Sequence, residues 1–255
     1  MMEFLFIKKF KKRGFKPRKV GLTLVEDTFS CSNSELAKLL DYFGEYVDIV
    51  RFPAISSLLV DVKKIRDRIN IYKENNIKVC LSGSTMELAF SNNKVDDLLS
   101  DAKKLNYDMI EISFSGAFSD KGDIERVIEK VKKYNVDFLV EVGYKDSKAD
   151  LSIPFNERVN QIKKALKLGA FKVVLEGRNG NFLYNQFGFI REDNIQKIGG
   201  EIDFKYLIFE LPPLTPTLEV ISDYIRIIGI NANLGNVPPN YVLILEMFRR
   251  KWKGR

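Results

Sequence analysis

The chain has 255 residues, 45% of them apolar and 29% charged, with a formal net charge of +7, which suits one large domain or two small ones around a substantial core. It contains no histidine, so Ser-His-Asp chemistry and nearly all His-ligated zinc or iron sites are excluded, and acid–base work falls to Asp, Glu, Lys, Tyr or Cys. No stretch reaches the ~18 apolar residues of a membrane-spanning helix, and Cys31 and Cys80 form no CxxC pair, reading as buried free thiols of a protein kept in a reducing cytoplasm.

The chain opens with a short apolar run followed by basic residues, the reverse of a signal peptide. Lys8, Lys9, Lys11, Lys12, Arg13, Lys16, Arg18 and Lys19 carry much of the net charge. Phe4, Phe6, Phe10 and Phe15 interleave with them, as stacking surfaces for nucleic acid would. A solvated arm is the preferred reading, and nucleic acid is not the expected partner. Residues 1–17 are therefore read as a basic N-terminal arm and 18–255 as one domain.

From there, short apolar runs alternate with helical segments. The runs are GLTLVED (21–27), YVDIVRF (46–52), IKVCLS (77–82), YDMIEIS (107–113), VDFLVEVG (136–143), FKVVLEG (171–177), YLIFEL (206–211) and IRIIGINAN (225–233). Runs of this kind fit strands buried on both faces of a parallel sheet. Between them, Leu36, Leu39, Leu40 and Phe43 keep helical spacing, as do Val62, Ile65, Ile69 and Tyr72. Similar patterns fill 94–106, 123–135, 156–170, 192–201, 216–225 and 240–253, and Gly169 is a helix stop. Eight strand–helix repeats in a chain of this length predict an α/β fold, a (β/α)8 TIM barrel. Neither GxGxxG after the first strand nor GxxxxGK[ST] occurs, which weakens an open nucleotide-binding sheet.

Acids recur late in the strands: Glu26-Asp27, Glu111, Glu141, Glu176 and Glu210. In a barrel those positions build the active site. A lone carboxylate there is costly to bury, and the cost falls when several converge on a cation. Hard oxygen donors suit Mg²⁺; pairing with Arg51, Lys145 or Arg178 as structural acids is the competing reading. The same three bases near the strand ends could grip a small anionic substrate. The loop 231–239, with Asn233, Gly235 and Asn236 before a helix, could expose backbone N–H groups to a phosphate, and Gly83-Ser84 could approach a ligand likewise.

These residues resemble the phosphosulfolactate synthase family, from Lys16 nearly to the end. The matching pieces are KPRKVGLTLVED, Gly83-Ser84 with Glu87, Glu111-Ile-Ser113, Glu141-Val-Gly143 with Lys145, Glu176-Gly-Arg178, Phe209-Glu210 with Pro212, Asn233-Leu-Gly-Asn236, and Leu245-Glu246 with Arg249-Arg250. The resemblance implies a (β/α)8 barrel and a Mg²⁺-dependent addition of sulfite to phosphoenolpyruvate, giving a coenzyme M precursor. It assigns Lys145, Arg51 and Glu141 to catalysis, with Lys145 as proton donor. Asp27, Glu111, Glu176 and Glu210 become metal ligands, and Arg178, Ser84, Asn233, Gly235 and Asn236 substrate contacts. A homo-oligomer is compatible with this reading, and a membrane role is not.

The chain departs from the family pattern, which makes it a divergent member. Asp27 is followed by Thr28-Phe29 rather than Lys-Gly, Arg51 stands for a lysine, and Pro53-Ala54-Ile55-Ser56 replaces a Gly-rich stretch. Phe114 takes the place of an Asp, and Pro213-Leu214-Thr215 that of a polar stretch. These changes leave two expectations: the parent reaction or a related enolate-type reaction on a small phosphorylated acid, or a barrel that has lost catalysis and serves as a binding or regulatory protein.

Overall fold

The computed structural model describes residues 13–114, 118, 122–177, 182–212 and 218–250. Eight parallel strands close into a barrel in sequence order. They are β1 (Thr23–Glu26), β2 (Ile49–Phe52), β3 (Lys78–Leu81), β4 (Met109–Ser113), β5 (Asp137–Val142), β6 (Lys172–Leu175), β7 (Leu207–Glu210) and β8 (Leu234–Val237). The first seven lie inside the expected runs.

Each strand buries both faces. Leu22, Leu24, Ile49, Cys80, Met109, Leu139, Val174 and Ile208 form a separate apolar plug, the filled interior such a barrel requires. Burial pushes the Cys80 thiol up, so it stays protonated within that plug. The opposite strand faces join a larger core with the surrounding helices. Those helices are α1 (Asn33–Phe43), α2 (Val62–Glu74), α3 (Gly83–Ser91), α4 (Val95–Lys104), α5 (Asp123–Lys133), α6 (Ser147–Ser152), α7 (Phe155–Lys167), α8 (Glu192–Glu201), α9 (Leu218–Ile228) and α10 (Val242–Arg249).

Local chemistry sets the helix ends. Ser32 and Glu35 form a capping box at α1, and the Asp61 side chain caps α2. Past α2, α4, α5 and α7 the chain enters the left-handed region at Asn76, Asn106, Asn135 and Gly169. Asn and Gly tolerate that conformation best, and here it turns the chain from helix into the next strand.

The eighth strand differs from the expectation. Residues 218–228 are helix α9, and β8 lies beyond, at Leu234–Val237. Val220, Ile221 and Tyr224 pack inward at helical spacing. A short apolar run cannot be told from a buried helix face by hydrophobicity alone. Pairing of β1 with β8 then slips between Thr23–Leu234 and Val25–Val237, and Asn236 at the slip has φ 52°. Such a bulge re-aims a side chain.

Arg13, Lys16 and Arg18 are tied to the N-terminal end of the barrel rather than solvated. Arg13 pairs with Glu246 at 2.8 Å and reaches the Tyr46 carbonyl. Lys16 Nζ donates to the carbonyls of Gly44 and Asn75, and Arg18 pairs with Asp48 at 3.0 Å. No helix among the described residues is long and apolar enough to cross a membrane.

Candidate active site

Period two along the strands decides which acids face the barrel axis. In β1, Leu22 and Leu24 belong to the interior plug, so Glu26 shares their side and Asp27 does not. Asp27 instead accepts from Arg68 Nη2 at 2.9 Å, from the Tyr72 hydroxyl at 2.6 Å and from the Phe29 N–H at 2.8 Å. The metal role expected of Asp27 is therefore corrected: its oxygens anchor α2 to the strand.

Arg51 rises from β2 into the centre of the ring. Its Nη2 donates to Glu210 at 2.7 Å and Glu26 at 3.2 Å, and makes a further contact with Asn236 Oδ1. Its Nη1 bonds Glu111. Burial disfavours the guanidinium charge, but Glu111, Glu210, Glu26 and Glu141 more than compensate and hold it charged. A cation so fixed neutralises its neighbours and cannot shuttle a proton, so a part for Arg51 in catalysis would be electrostatic. Glu111 is engaged by Arg51 and by the Gly83 N–H at 3.1 Å. It lies outside the group of carboxylates whose oxygens come within 4.8 Å of one another.

Those carboxylates are Glu141, Glu176 and Glu210. All three are buried, each offering an oxygen within 4.8 Å of the others. Burial and the neighbouring acids push the Glu141 carboxyl well up. Glu210 is pushed up to about 7, by burial first, against the opposing field of Arg51. Three hard oxygen donors with an excess of negative charge fit a divalent cation such as Mg²⁺ or Mn²⁺. Glu141, expected to act as a catalytic residue, thus belongs with the acids that could hold a metal. The Ser113 hydroxyl orients it from β4 at 2.7 Å, and the Gly177 N–H meets Glu210 at 3.2 Å.

Lys145 follows β5 and leans across the mouth. Its Nζ donates to Ser84 Oγ at 3.0 Å and pairs with Glu87 at 3.7 Å and Glu141 at 3.9 Å. Burial pulls the ammonium down, but Glu141 and Glu87 outweigh it and keep the amine protonated. Ser84, expected at a substrate anion, is instead bound to this lysine.

The remaining expectations divide. Asn236 reaches the site through Arg51. Gly235 lies within β8, where a side chain would meet Ile208 and Glu210 at 3.1 and 3.5 Å. Asn233 sits at the opposite end. It accepts from the Leu22 N–H at 3.0 Å and donates to the Leu207 carbonyl at 2.7 Å, so its substrate role is corrected to a tie between strand starts. Arg178 and Pro213-Leu214-Thr215 lie outside the described residues. Glu26, Ser113 and Glu87, present in the sequence pattern but given no role there, join the site, and the parity of β1 and β4 already points Glu26 and Ser113 inward.

A sequence model for (2R)-phospho-3-sulfolactate synthase (ComA) matches residues 11–255. The chain belongs to the (2R)-phospho-3-sulfolactate synthase family. Its similarity to the phosphosulfolactate synthase of Methanocaldococcus jannaschii is 29% identity, covering 92% of each chain. The enzyme of that name from Methanothermobacter thermautotrophicus is 28% identical, covering 95% of this chain and 93% of the relative. Among solved structures, orotidine 5'-phosphate decarboxylase from Pyrococcus horikoshii superposes with a TM-score of 0.60 at 12% identity, over 90% of this chain and 99% of that one. At that identity the likeness shows the barrel alone. In this phosphosulfolactate synthase-family barrel, acids stand in β4 and β5, just after β6 and at the end of β7, and Lys145 follows β5. Phe29 packs on Phe52 at 5.0 Å, and the Ala54 carbonyl accepts from Thr85 at 2.8 Å.

Proposed function

We propose that the chain catalyses the family reaction, Mg²⁺-dependent addition of sulfite to phosphoenolpyruvate, with Lys145 as proton donor. The single observation that carries this is Lys145 held protonated at 3.9 Å from Glu141, the edge of the buried acid triad. In the reaction the sulfur lone pair forms a bond to the methylene carbon. The double-bond electrons move toward the carboxylate, and the phosphate-bearing carbon then takes a proton. Lys145 supplies that proton and regains one from solvent. Glu141, Glu176 and Glu210 would hold the cation, while Arg51 balances Glu111 and the far oxygen of Glu210. Bound there, Mg²⁺ supplies positive charge against the negative charge that collects on the substrate carboxylate.

The test is product formation from sulfite and phosphoenolpyruvate, followed by phosphorus NMR with and without Mg²⁺. A sulfonated product is expected, and Lys145→Ala should lower turnover about a thousandfold while leaving thermal stability unchanged. No product, either from the chain or after Arg51→Lys, rejects the reaction. Stabilisation by phosphoenolpyruvate without turnover would instead mark a binding protein.

A further inference from the structure

Helix α3 starts directly at the rim. The N–H of Gly83 bonds Glu111 at 3.1 Å, and a side chain at Gly83 would meet the same carboxylate at 3.2 Å. Glu111 is in turn bound by Arg51. The first turn of α3 is thereby fixed to the barrel's ionic centre. Ser84 and Glu87, three residues apart, share one helix face. Both meet the ammonium of Lys145, which comes from the loop after β5, one strand beyond β4, at 3.0 and 3.7 Å.

Lys145 has a long, mobile stem and is a third exposed. A donor of that kind is useful only when its orientation is already restricted before the substrate carbon arrives. Its own loop restrains the backbone: the Tyr144 N–H donates to Asp150 at 3.1 Å, and Asp150 is paired with Arg158 at 2.8 Å. That leaves the stem to be restrained from α3.

We infer that Glu87, with Ser84, is a positioning residue that holds the Lys145 ammonium across the mouth between α3 and β5. The inference rests on Lys145 acting as the proton donor. Glu87 acts through Lys145 and needs no contact with substrate.

The experiment compares Glu87→Gln, Glu87→Asp and Lys145→Ala in the full chain. Glu87→Gln should lower kcat about tenfold with the KM for phosphoenolpyruvate within about twofold. Glu87→Asp should recover most of that loss. In a Lys145→Ala background, Glu87→Gln should change the remaining rate less than about twofold, because its target is gone. A raised KM at constant kcat, or an undiminished effect without Lys145, overturns the inference. A second readout does not need turnover. Lysines are reductively methylated with a carbon label, and the Lys145 resonance is assigned through Lys145→Arg. That resonance should stand apart from those of exposed lysines and move toward them in Glu87→Gln. An unmoved resonance overturns the positioning role even where product forms. If the chain makes no sulfonate, the reaction falls, and the resonance alone decides whether Glu87 holds the lysine.

Discussion

The two ends of the barrel both bury charge, with opposite excess. At the strand starts Arg13, Lys16, Arg18 and Arg249 face Asp48, Glu246 and Glu45. The surplus cations there are met by main-chain carbonyls. Arg249 donates to Leu22 and Ala232 at 3.0 and 2.8 Å, and Lys16 to Gly44 and Asn75. At the strand ends Arg51 pairs with Glu26, Glu111 and Glu210, and Lys145 lies 3.9 Å from Glu141. Burial pushes Glu210 up to about 7 against the field of Arg51, while at the other end it pushes Lys16 down to about 8. The lesson lies in what meets the surplus. Carbonyls of the fold itself meet the cations of the lower network, whereas the upper one sets three buried carboxylates against one another, where a proton or a cation relieves their repulsion.

The sharpest way to break this contrast is Arg249→Ala. Its guanidinium is buried and also donates to Thr23 at 2.6 Å. Removal takes a donor from three acceptors, of which Leu22 O and Thr23 Oγ1 keep another, and leaves a void, so unfolding in denaturant should show a loss of about 3 kcal/mol. Mg²⁺ affinity of the protein that remains folded should not change. A matching fall in Mg²⁺ affinity would mean that the two ends are energetically coupled, and the division into a structural and a functional network would fail.

Next in size is the pH dependence of stability. The Glu210 carboxyl is raised from 4.5 to about 7, so the folded chain keeps a proton that the unfolded chain releases between those values. Without divalent metal, this group's contribution is fully favourable below about pH 4.5 and is lost as pH rises through about 7. Lys16 acts in another window and with the other sign. Its amine is lowered from 10.5 to about 8, so stability rises with pH between them. Mg²⁺ competes with the upper proton. Its stabilising shift in melting temperature should be larger at about pH 8 than at about pH 6. Glu210→Gln should shrink that difference to the part owed to Glu141. A shift independent of pH in the parent protein would argue that the triad does not hold the ion.

The fold was legible in the sequence where apolar runs and helix faces do the packing. Seven strands follow from short apolar runs, and most helices behind them from period 3.6; α3 and α6 were not read. The eighth strand was not, because LGNV contains Gly235 and Asn236, with a bulge, and has little hydrophobic signal. The stronger apolar run beside it belongs to α9. That displacement carried Asn233 to the wrong end of the barrel. The convergence of Glu141, Glu176 and Glu210 was legible from their late positions in adjacent strands. The choice between Glu26 and Asp27 was available from alternation with Leu22 and Leu24, yet the neighbouring acid drew the assignment. The pairing of Lys145 with Glu87 and Ser84 was out of reach, since it depends on where α3 begins relative to a loop some sixty residues later.

The smallest expected effect tests how finely the upper network is tuned. Ser113 is fully buried and gives its hydroxyl proton to Glu141 Oε2. A hydrogen bond to the ionised form favours it, so the hydroxyl partly offsets the burial that raises Glu141. Ser113→Ala removes that donor without adding bulk. The protonated acid then gains relative to the carboxylate, and Mg²⁺ must displace a more tightly held proton. Affinity at neutral pH should weaken severalfold, equivalent to about 1 kcal/mol, with most of the loss regained as pH rises. Calorimetric titration at two pH values checks this. A loss of the same size at both values would mean that Ser113 shapes the site geometrically, by steering the carboxylate, and not through the proton on Glu141. Within the lower network the equivalent change, Thr23→Val beside Arg249, should cost stability alone, because Thr23 opens β1, at the end of the barrel away from the acid triad.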